Sequence, residues 1–211
     1  MSVYSEISEQ VQKGRYKIVK ELTEKAVADG FSPSEILNKG LLAGMDAIGE
    51  RFKNNQAYIP EVLIAAKAMQ EGVSVLKPLL TAGEVKATGK VCIGTVQGDI
   101  HDIGKNLVKM MMEGKGLEVI DLGTNVSPEK FVSTAIDESC QVICCSALLT
   151  TTMEVMADVV RCAENAGIRD KVRIMIGGAP VTEEYCQKIG ADAYSADAAS
   201  AADTAVRLCR S

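Results

Sequence analysis

Three residues within four positions carry the most pointed chemistry in this chain: Asp99, His101 and Asp102, in the stretch Gly98-Asp99-Ile100-His101-Asp102-Ile103-Gly104-Lys105-Asn106. His101 is the only histidine among 211 residues. An imidazole two residues from a carboxylate has the parts of a metal ligand and the partner that orients it, because a carboxylate on one ring nitrogen fixes the tautomer and leaves the other nitrogen's lone pair available. The same residues also fit a plainer arrangement, a loop histidine bonded to its neighbour with the aspartates capping the next helix. The residues alone leave both open.

The elements that must hold this stretch can be read on either side of it. Val91, Ile93 and Val96 form a short apolar run of strand length, and from Lys105 the pattern Asn106-Leu107-Val108-Lys109-Met110-Met111 is helical. The candidate residues therefore sit on a strand-to-helix loop, the edge at which open α/β sheets bind ligands. From Lys90 onward strands and helices alternate. Strands are expected near 90–96, 117–120, 141–146, 172–176 and 191–194, and helices near 104–114, 128–138, 152–166, 182–188 and 197–209. Five such units predict a parallel sheet covered on both faces, in the flavodoxin-like order 2-1-3-4-5. That order brings the first loop together with Ser146-Ala147-Leu148-Leu149-Thr150-Thr151-Thr152, with Gly177-Gly178-Ala179-Pro180, and with Tyr194-Ser195-Ala196-Asp197. A paired glycine lets a ligand approach the backbone closely.

Several functions are excluded by the same loops. No G-x-G-x-x-G follows the first strand, which argues against a dinucleotide fingerprint, and there is no P-loop. A receiver domain would need an acidic pair where Gln97-Gly98 stands and an aspartate where Ser146 stands.

Residues 1–80 read as helices. Ile7 and Val11, then Ile18, Val19, Leu22 and Val27, have helical spacing, with Gly14 as a break. Ser32-Pro33-Ser34-Glu35 is a helix start, with Ser32 as N-cap, and that helix is expected to run to about Phe52. Pro60 opens another, with Val62, Leu63, Ala66 and Met69 on one face. Four helices with short connections predict an antiparallel bundle. Phe52, Tyr58 and Ile59 gather at one helix–loop–helix corner, where ordinary core packing is one reading and an exposed apolar surface another. Thr81–Gly89 is small and polar and is the expected linker, so the domains fall at 1–80 and 90–211.

Composition narrows the class. At 47% hydrophobic and 24% charged the chain is globular, and a net charge of −5 without any basic run argues against nucleic acid as a partner. The polar, acidic N-terminus does not read as a signal peptide, and no apolar run approaches the length of a membrane span. Seven cysteines without a C-x-x-C pair give no zinc spacing and point to free thiols in a reducing cytoplasm.

Asp99-x-His101-x-x-Gly104, then Ser146-x-Leu148, then Gly177-Gly178, resembles the signature of cobalamin-binding domains that bind the cofactor base-off and His-on. The stretch Gly44–Met69 resembles the helical cap of methionine synthase and of the corrinoid proteins of methylotrophic methyltransferase systems. The resemblance spans roughly residues 10–205, and a chain of cap plus cobalamin module without a catalytic barrel is similar to the free-standing corrinoid methyl carriers. It implies a cobalamin or related cobamide, with His101 as the lower axial ligand to cobalt and Asp99 and Thr152 completing a relay behind it. Thr152 stands where the family has a hydroxyl six residues after the motif serine. Gly98, Asp102, Ile103, Gly104, Ser146, Leu148, Thr150, Gly177, Gly178 and Ala179 would hold the cofactor and its displaced tail, and Phe52, Ile59 and Val62 would cover the upper corrin face.

The function so implied is a methyl carrier cycling between methylcobalamin and Co(I) states. It would take a methyl group from a substrate-specific methyltransferase acting on methanol, a methylamine, a quaternary amine or a methoxyaromatic compound. It would pass it to a second methyltransferase acting on coenzyme M or tetrahydrofolate, with a reductive activase as third partner. Such a chain is a subunit of a multi-component system and is not catalytic alone. A cobalamin-binding regulator or sensor, and the cobalamin subunit of a mutase, are the alternatives. The former usually adds a basic DNA-binding segment, and the latter ordinarily lacks this cap.

Overall fold

The computed structural model describes residues 2–79 and 88–210. The chain divides into two compact units, one helical and one α/β. The linker expected at 81–89 lies outside the described residues except for Thr88 and Gly89.

In the helical unit α1 (Val3–Gln12) and α2 (Tyr16–Ala28) are separated at Gly14, whose φ of +65° breaks the helix as its position suggests. The helix expected from Pro33 to Phe52 is present but not uniform: α3 (Pro33–Glu35) passes into a π-helical segment, Ile36–Leu42, and then into α4 (Ala43–Lys53). Close packing accompanies that irregularity. A Cβ on Gly40 would stand 3.1 Å from Ile7, and one on Gly44 2.7 Å from Val11, so both glycines let α1 approach the helix axis. Ser32 occupies the N-cap position, yet its hydroxyl makes no capping bond. Glu35 instead accepts from the Tyr4 hydroxyl at 2.8 Å. α5 (Ile59–Leu76) follows, with the Tyr58 N–H donating to Glu61 at 2.8 Å. Ile7, Val11, Val19, Leu41, Ile48, Val62 and Leu76 are buried.

The α/β unit alternates as the sequence suggests: β1 (Lys90–Thr95), α6 (Ile103–Gly114), β2 (Glu118–Asp121), α7 (Pro128–Asp137), β3 (Val142–Ser146), α8 (Glu154–Asn165), β4 (Arg173–Gly177), α9 (Glu183–Ile189), β5 (Ala193–Ser195) and α10 (Ala198–Cys209). All strand pairs are parallel in the order β2-β1-β3-β4-β5. β1 and β3 are buried almost end to end, which explains why they read as continuous apolar runs without alternation. Register matters for the site: Thr95 pairs with Ser146, and Ser146 with Gly177, so the three loops leave the sheet at one level. Tyr194 and Ser195 belong to β5 and not to the loop after it, and Asp197 caps α10 by accepting from the Ser200 N–H at 2.9 Å. Phe131 fills the space beside Gly94, where a Cβ would stand 2.9 Å from its ring.

Candidate functional site

The loop after β1 is anchored by the buried carboxylate of Asp99, which has no exposed surface. Its Oδ1 accepts from the His101 backbone N–H at 3.0 Å and lies 2.7 Å from His101 Nδ1. Its Oδ2 accepts from the backbone N–H of Leu148 at 2.7 Å and of Leu149 at 3.3 Å. The Thr152 hydroxyl donates to the same oxygen at 3.0 Å. That hydroxyl also lies 3.0 Å from the Leu149 carbonyl, and the charge on the carboxylate makes Asp99 the stronger acceptor for its one proton.

Burial by itself would push the Asp99 carboxyl up. The N–H groups of His101 and Leu148, the imidazole and the Thr152 hydroxyl outweigh it and hold the carboxyl well below the usual carboxylate range. An ionised Asp99 is an acceptor only, so the neutral imidazole must carry its proton on Nδ1, and the lone pair is left on Nε2. The His101 side chain is 48% exposed, and no described residue engages Nε2. Exposed aliphatic side chains stand on both loops at this edge: Ile100 (76%) and Ile103 (78%) flank His101 together with the exposed Asp102, and Leu148 (45%) and Leu149 (42%) follow β3. Large aliphatic side chains on this scale around one available nitrogen suit a broad, flat, largely apolar ligand that carries its own metal.

The donor set points the same way. Among the described residues no group of three or more His, Cys, Asp or Glu side chains stands ready to hold an ion. A metal bound through His101 must bring its remaining ligands, as the cobalt of a corrinoid does.

The other expected site residues fall into three groups. Gly98 and Asp102 lie with His101 on the β1–α6 loop and Gly104 in the first turn of α6, all exposed, and a Cβ on Gly104 would meet nothing within 4 Å. Ser146, Thr150, Gly177, Gly178 and Ala179 share the same sheet edge. Gly178 has φ +130°, and a Cβ there would come within 1.8 Å of the Ala147 carbonyl oxygen, so only glycine fits. Phe52, Ile59 and Val62 belong to the helical unit. Ile59 is 42% exposed, Phe52 is half-buried and Val62 is buried, while the exposed apolar surface there is completed by Tyr58 and Leu63.

Residue types alone did not single out Ile100 and Leu149. The signal was available, because two isoleucines in an otherwise polar, charged loop have no core to enter. Nor did they single out Thr95, whose buried hydroxyl donates to the His101 carbonyl at 2.8 Å.

Residues 89–206 match the model of the B12 binding domain, and residues 3–77 match a second family model of the same description. The chain is 44% identical to trimethylamine corrinoid protein 1 of Methanosarcina acetivorans over 184 residues, 86% of this chain and 85% of that one. It is 40% identical to dimethylamine corrinoid protein 3 of the same organism over 203 residues, 96% and 95% of the two chains. Among solved structures, it is similar to the methanol:cobalamin methyltransferase complex of Methanosarcina barkeri, with TM-score 0.88 and 28% identity, covering 97% of this chain and 78% of that one. It is also similar to a cobalamin-binding protein of Desulfitobacterium hafniense, with TM-score 0.81 and 28% identity over 99% and 98%.

Proposed function

The chain belongs to the corrinoid proteins built on a B12 binding domain, and we propose that it carries a methyl group on cobalt from a methylamine-specific methyltransferase to a second methyltransferase acting on coenzyme M or tetrahydrofolate. The observation that carries the reading is the chain of hydrogen bonds from Thr152 through Asp99 to His101, ending in an available Nε2 among exposed aliphatic side chains. The relatives named for trimethylamine and dimethylamine support a methylamine as the donor class. Bound base-off and His-on, the corrinoid supplies a cobalt centre that accepts and gives up the methyl group as its oxidation state changes.

The protein's own part is to hold and tune. His101 Nε2 is the lower ligand in place of the cofactor's own base. Asp99 keeps the proton on Nδ1 and so keeps Nε2 a donor of electron density. Thr152 fixes the second carboxylate oxygen and sets how much of the charge reaches the imidazole. Ile100, Ile103, Leu148 and Leu149 supply apolar contact to the lower face of the ring system. Gly104, Gly177, Gly178 and Ala179 leave backbone surface for the displaced tail, with Ser146 and Thr150 as polar partners. Phe52, Ile59 and Val62 would cover the upper face, and residues 81–89 would be the hinge that lets this cover move aside for each methyltransferase. A reductive activase restores cobalt that has been oxidised by accident.

The test is single-turnover transfer. Reconstituted protein, first reduced anaerobically to Co(I) with a chemical reductant, is mixed in turn with purified trimethylamine, dimethylamine and monomethylamine methyltransferases and the matching labelled amine. Label should move to the protein-bound cobalt with one of the three and fail to move in His101→Ala. Cobalamin uptake without label from any methylamine would overturn the substrate class, and no uptake at all would overturn the carrier reading.

A further inference from the structure

The His101 loop is held from outside as well as by Asp99, and two of the holding residues, Asp121 and Asn125, belong to none of the motifs above. Residues 121–125, the end of β2 and the turn after it, hold the loop directly at its start and, through Lys105 and Asn106 of α6, at its end. At its start Asn125 Oδ1 accepts the Gly98 N–H at 2.8 Å, and the Asn125 N–H donates to the Asp99 carbonyl at 2.9 Å. Asn125 makes this two-way contact with φ at +55°, a left-handed conformation that a residue with a side chain adopts only when its surroundings enforce it. At the loop's end Asp102 Oδ2 accepts from Asn106 Nδ2 at 3.1 Å. Asn106 Oδ1 accepts from Lys105 Nζ at 2.7 Å, and the same ammonium lies 2.6 Å from Asp121 Oδ1. Lys105 is 2% exposed, so its charge is held by these two partners and not by water. Asp121 is itself fixed by the Gly123 N–H at 3.0 Å and by Lys109 at 3.2 Å.

We propose that Asn125 and Lys105 are positioning residues for the axial ligand: the 121–125 segment clamps the loop at Gly98–Asp99 and at Asp102, and so fixes where the His101 imidazole points. The clamp leaves the loop backbone little freedom between its two grips. The carboxylate of Asp99 is then presented to Nδ1 from a peptide that Asn125 holds on both sides. Neither residue touches the ligand; both act through the backbone of residues 98–102. This inference rests on His101 being the axial ligand.

Three variants test it. Asn125→Gly removes the amide while keeping the left-handed backbone free of strain, so the fold is retained. Asn125→Asp keeps an acceptor for the Gly98 N–H. Lys105→Met keeps the stem and removes the charge. The readouts are cobalamin affinity, the fraction of Co(II) protein showing nitrogen splitting from an axial imidazole, and, in the protein without cofactor, amide exchange at Gly98 and His101. For Asn125→Gly we expect roughly fivefold weaker cobalamin binding, a mixture of His-on and His-off Co(II), and faster exchange at both amides, with a melting temperature close to the parent's. Asn125→Asp should restore most of each. Lys105→Met should lower the His-on fraction likewise. Full His-on occupancy and unchanged amide exchange in both Asn125→Gly and Lys105→Met would overturn the clamp. His101→Ala with parental affinity and spectrum would instead overturn the ligand assignment beneath it. A fall in the Asn125→Gly melting temperature that accounts for the lost affinity, with no rescue by Asn125→Asp, would reduce Asn125 to a structural role and also overturn the proposal.

Discussion

Replacing Asp99 by asparagine changes one atom and sets the whole loop against itself. All five of its partners are donors, two on Oδ1 and three on Oδ2. The new NH2 must face one of these sets. On the Oδ2 side it would orphan the Leu148 and Leu149 N–H groups. On the Oδ1 side it orphans only the His101 N–H, because the imidazole can shift its proton to Nε2 and accept at Nδ1. The second arrangement is therefore the one expected, and it has two consequences. One part-buried N–H is left without an acceptor and the remaining bonds lose their charge assistance, which together cost about 2–4 kcal/mol. In a chain of this size that is a fall of about 6–15 °C in melting temperature. The second consequence is chemical: Nε2 now bears a proton and has no lone pair for a metal.

The pH dependence separates this from general damage. The Asp99 carboxyl is depressed in the folded state, so its contribution is complete above the unfolded value near about 4 and is lost as pH falls toward the folded one. The stability gap between parent and Asp99→Asn should hold at neutral pH and narrow below about pH 4. Urea unfolding of the protein without cofactor, run from pH 7 to pH 3, measures it. A variant within about 0.5 kcal/mol of the parent at pH 7, or one that still gives a fully His-on spectrum, would refute the reasoning.

Other perturbations give equally definite outcomes. Gly178→Ala drives a methyl into the Ala147 carbonyl and should cost about 3 kcal/mol or more, read as a drop of about 6–12 °C in thermal unfolding. Gly104→Ala meets nothing in the protein and sits in the first turn of α6, so it should leave stability unchanged or raise it by up to about 1 kcal/mol. If the cofactor binds as proposed, the same variant should weaken cobalamin uptake by placing a methyl in its way, and equal uptake would move the cofactor elsewhere. Ile103→Asn removes an exposed aliphatic side chain and should leave the melting temperature within about 1 °C while reducing cobalamin affinity severalfold. Phe131→Ala empties the space beside Gly94 and should cost about 3–5 kcal/mol in denaturant unfolding without altering the ligand nitrogen.

How legible the protein was in its residues depends on the range over which each feature is determined. The strands of the α/β unit fall within two residues of their expected positions because β1, β3 and β4 are buried runs rich in Ile with Val, Cys or Met, with Gly or Ser close to their ends. Their order followed from the connection rule for parallel sheets, and the order alone brought Asp99, Ser146 and Gly177 to one edge. The π-helical turn at Ile36–Leu42 was not legible, since its apolar spacing over so few residues differs little from that of an α-helix, and the close packing of α1 that accompanies it at Gly40 is a contact between residues far apart in sequence. Ser32 satisfied the composition of a cap without making the bond. Asn125 and Lys105 were out of reach for another reason. Their roles depend on partners 27 and 16 residues away and, for Asn125, on a backbone angle that no residue type announces.

The central claim is that His101 Nε2 is the lower ligand to cobalt, and the chain offers an unusually clean test because it has a single histidine. Protein grown with 15N-labelled histidine and reconstituted with unlabelled cobalamin would be reduced to Co(II) and its electron paramagnetic resonance spectrum recorded. Coupling to 15N splits each cobalt line into two, and coupling to 14N into three. The account requires two, and two only with labelled histidine. A three-line pattern that ignores the label would mean the cofactor has kept its own base, and with it the His-on site would fall.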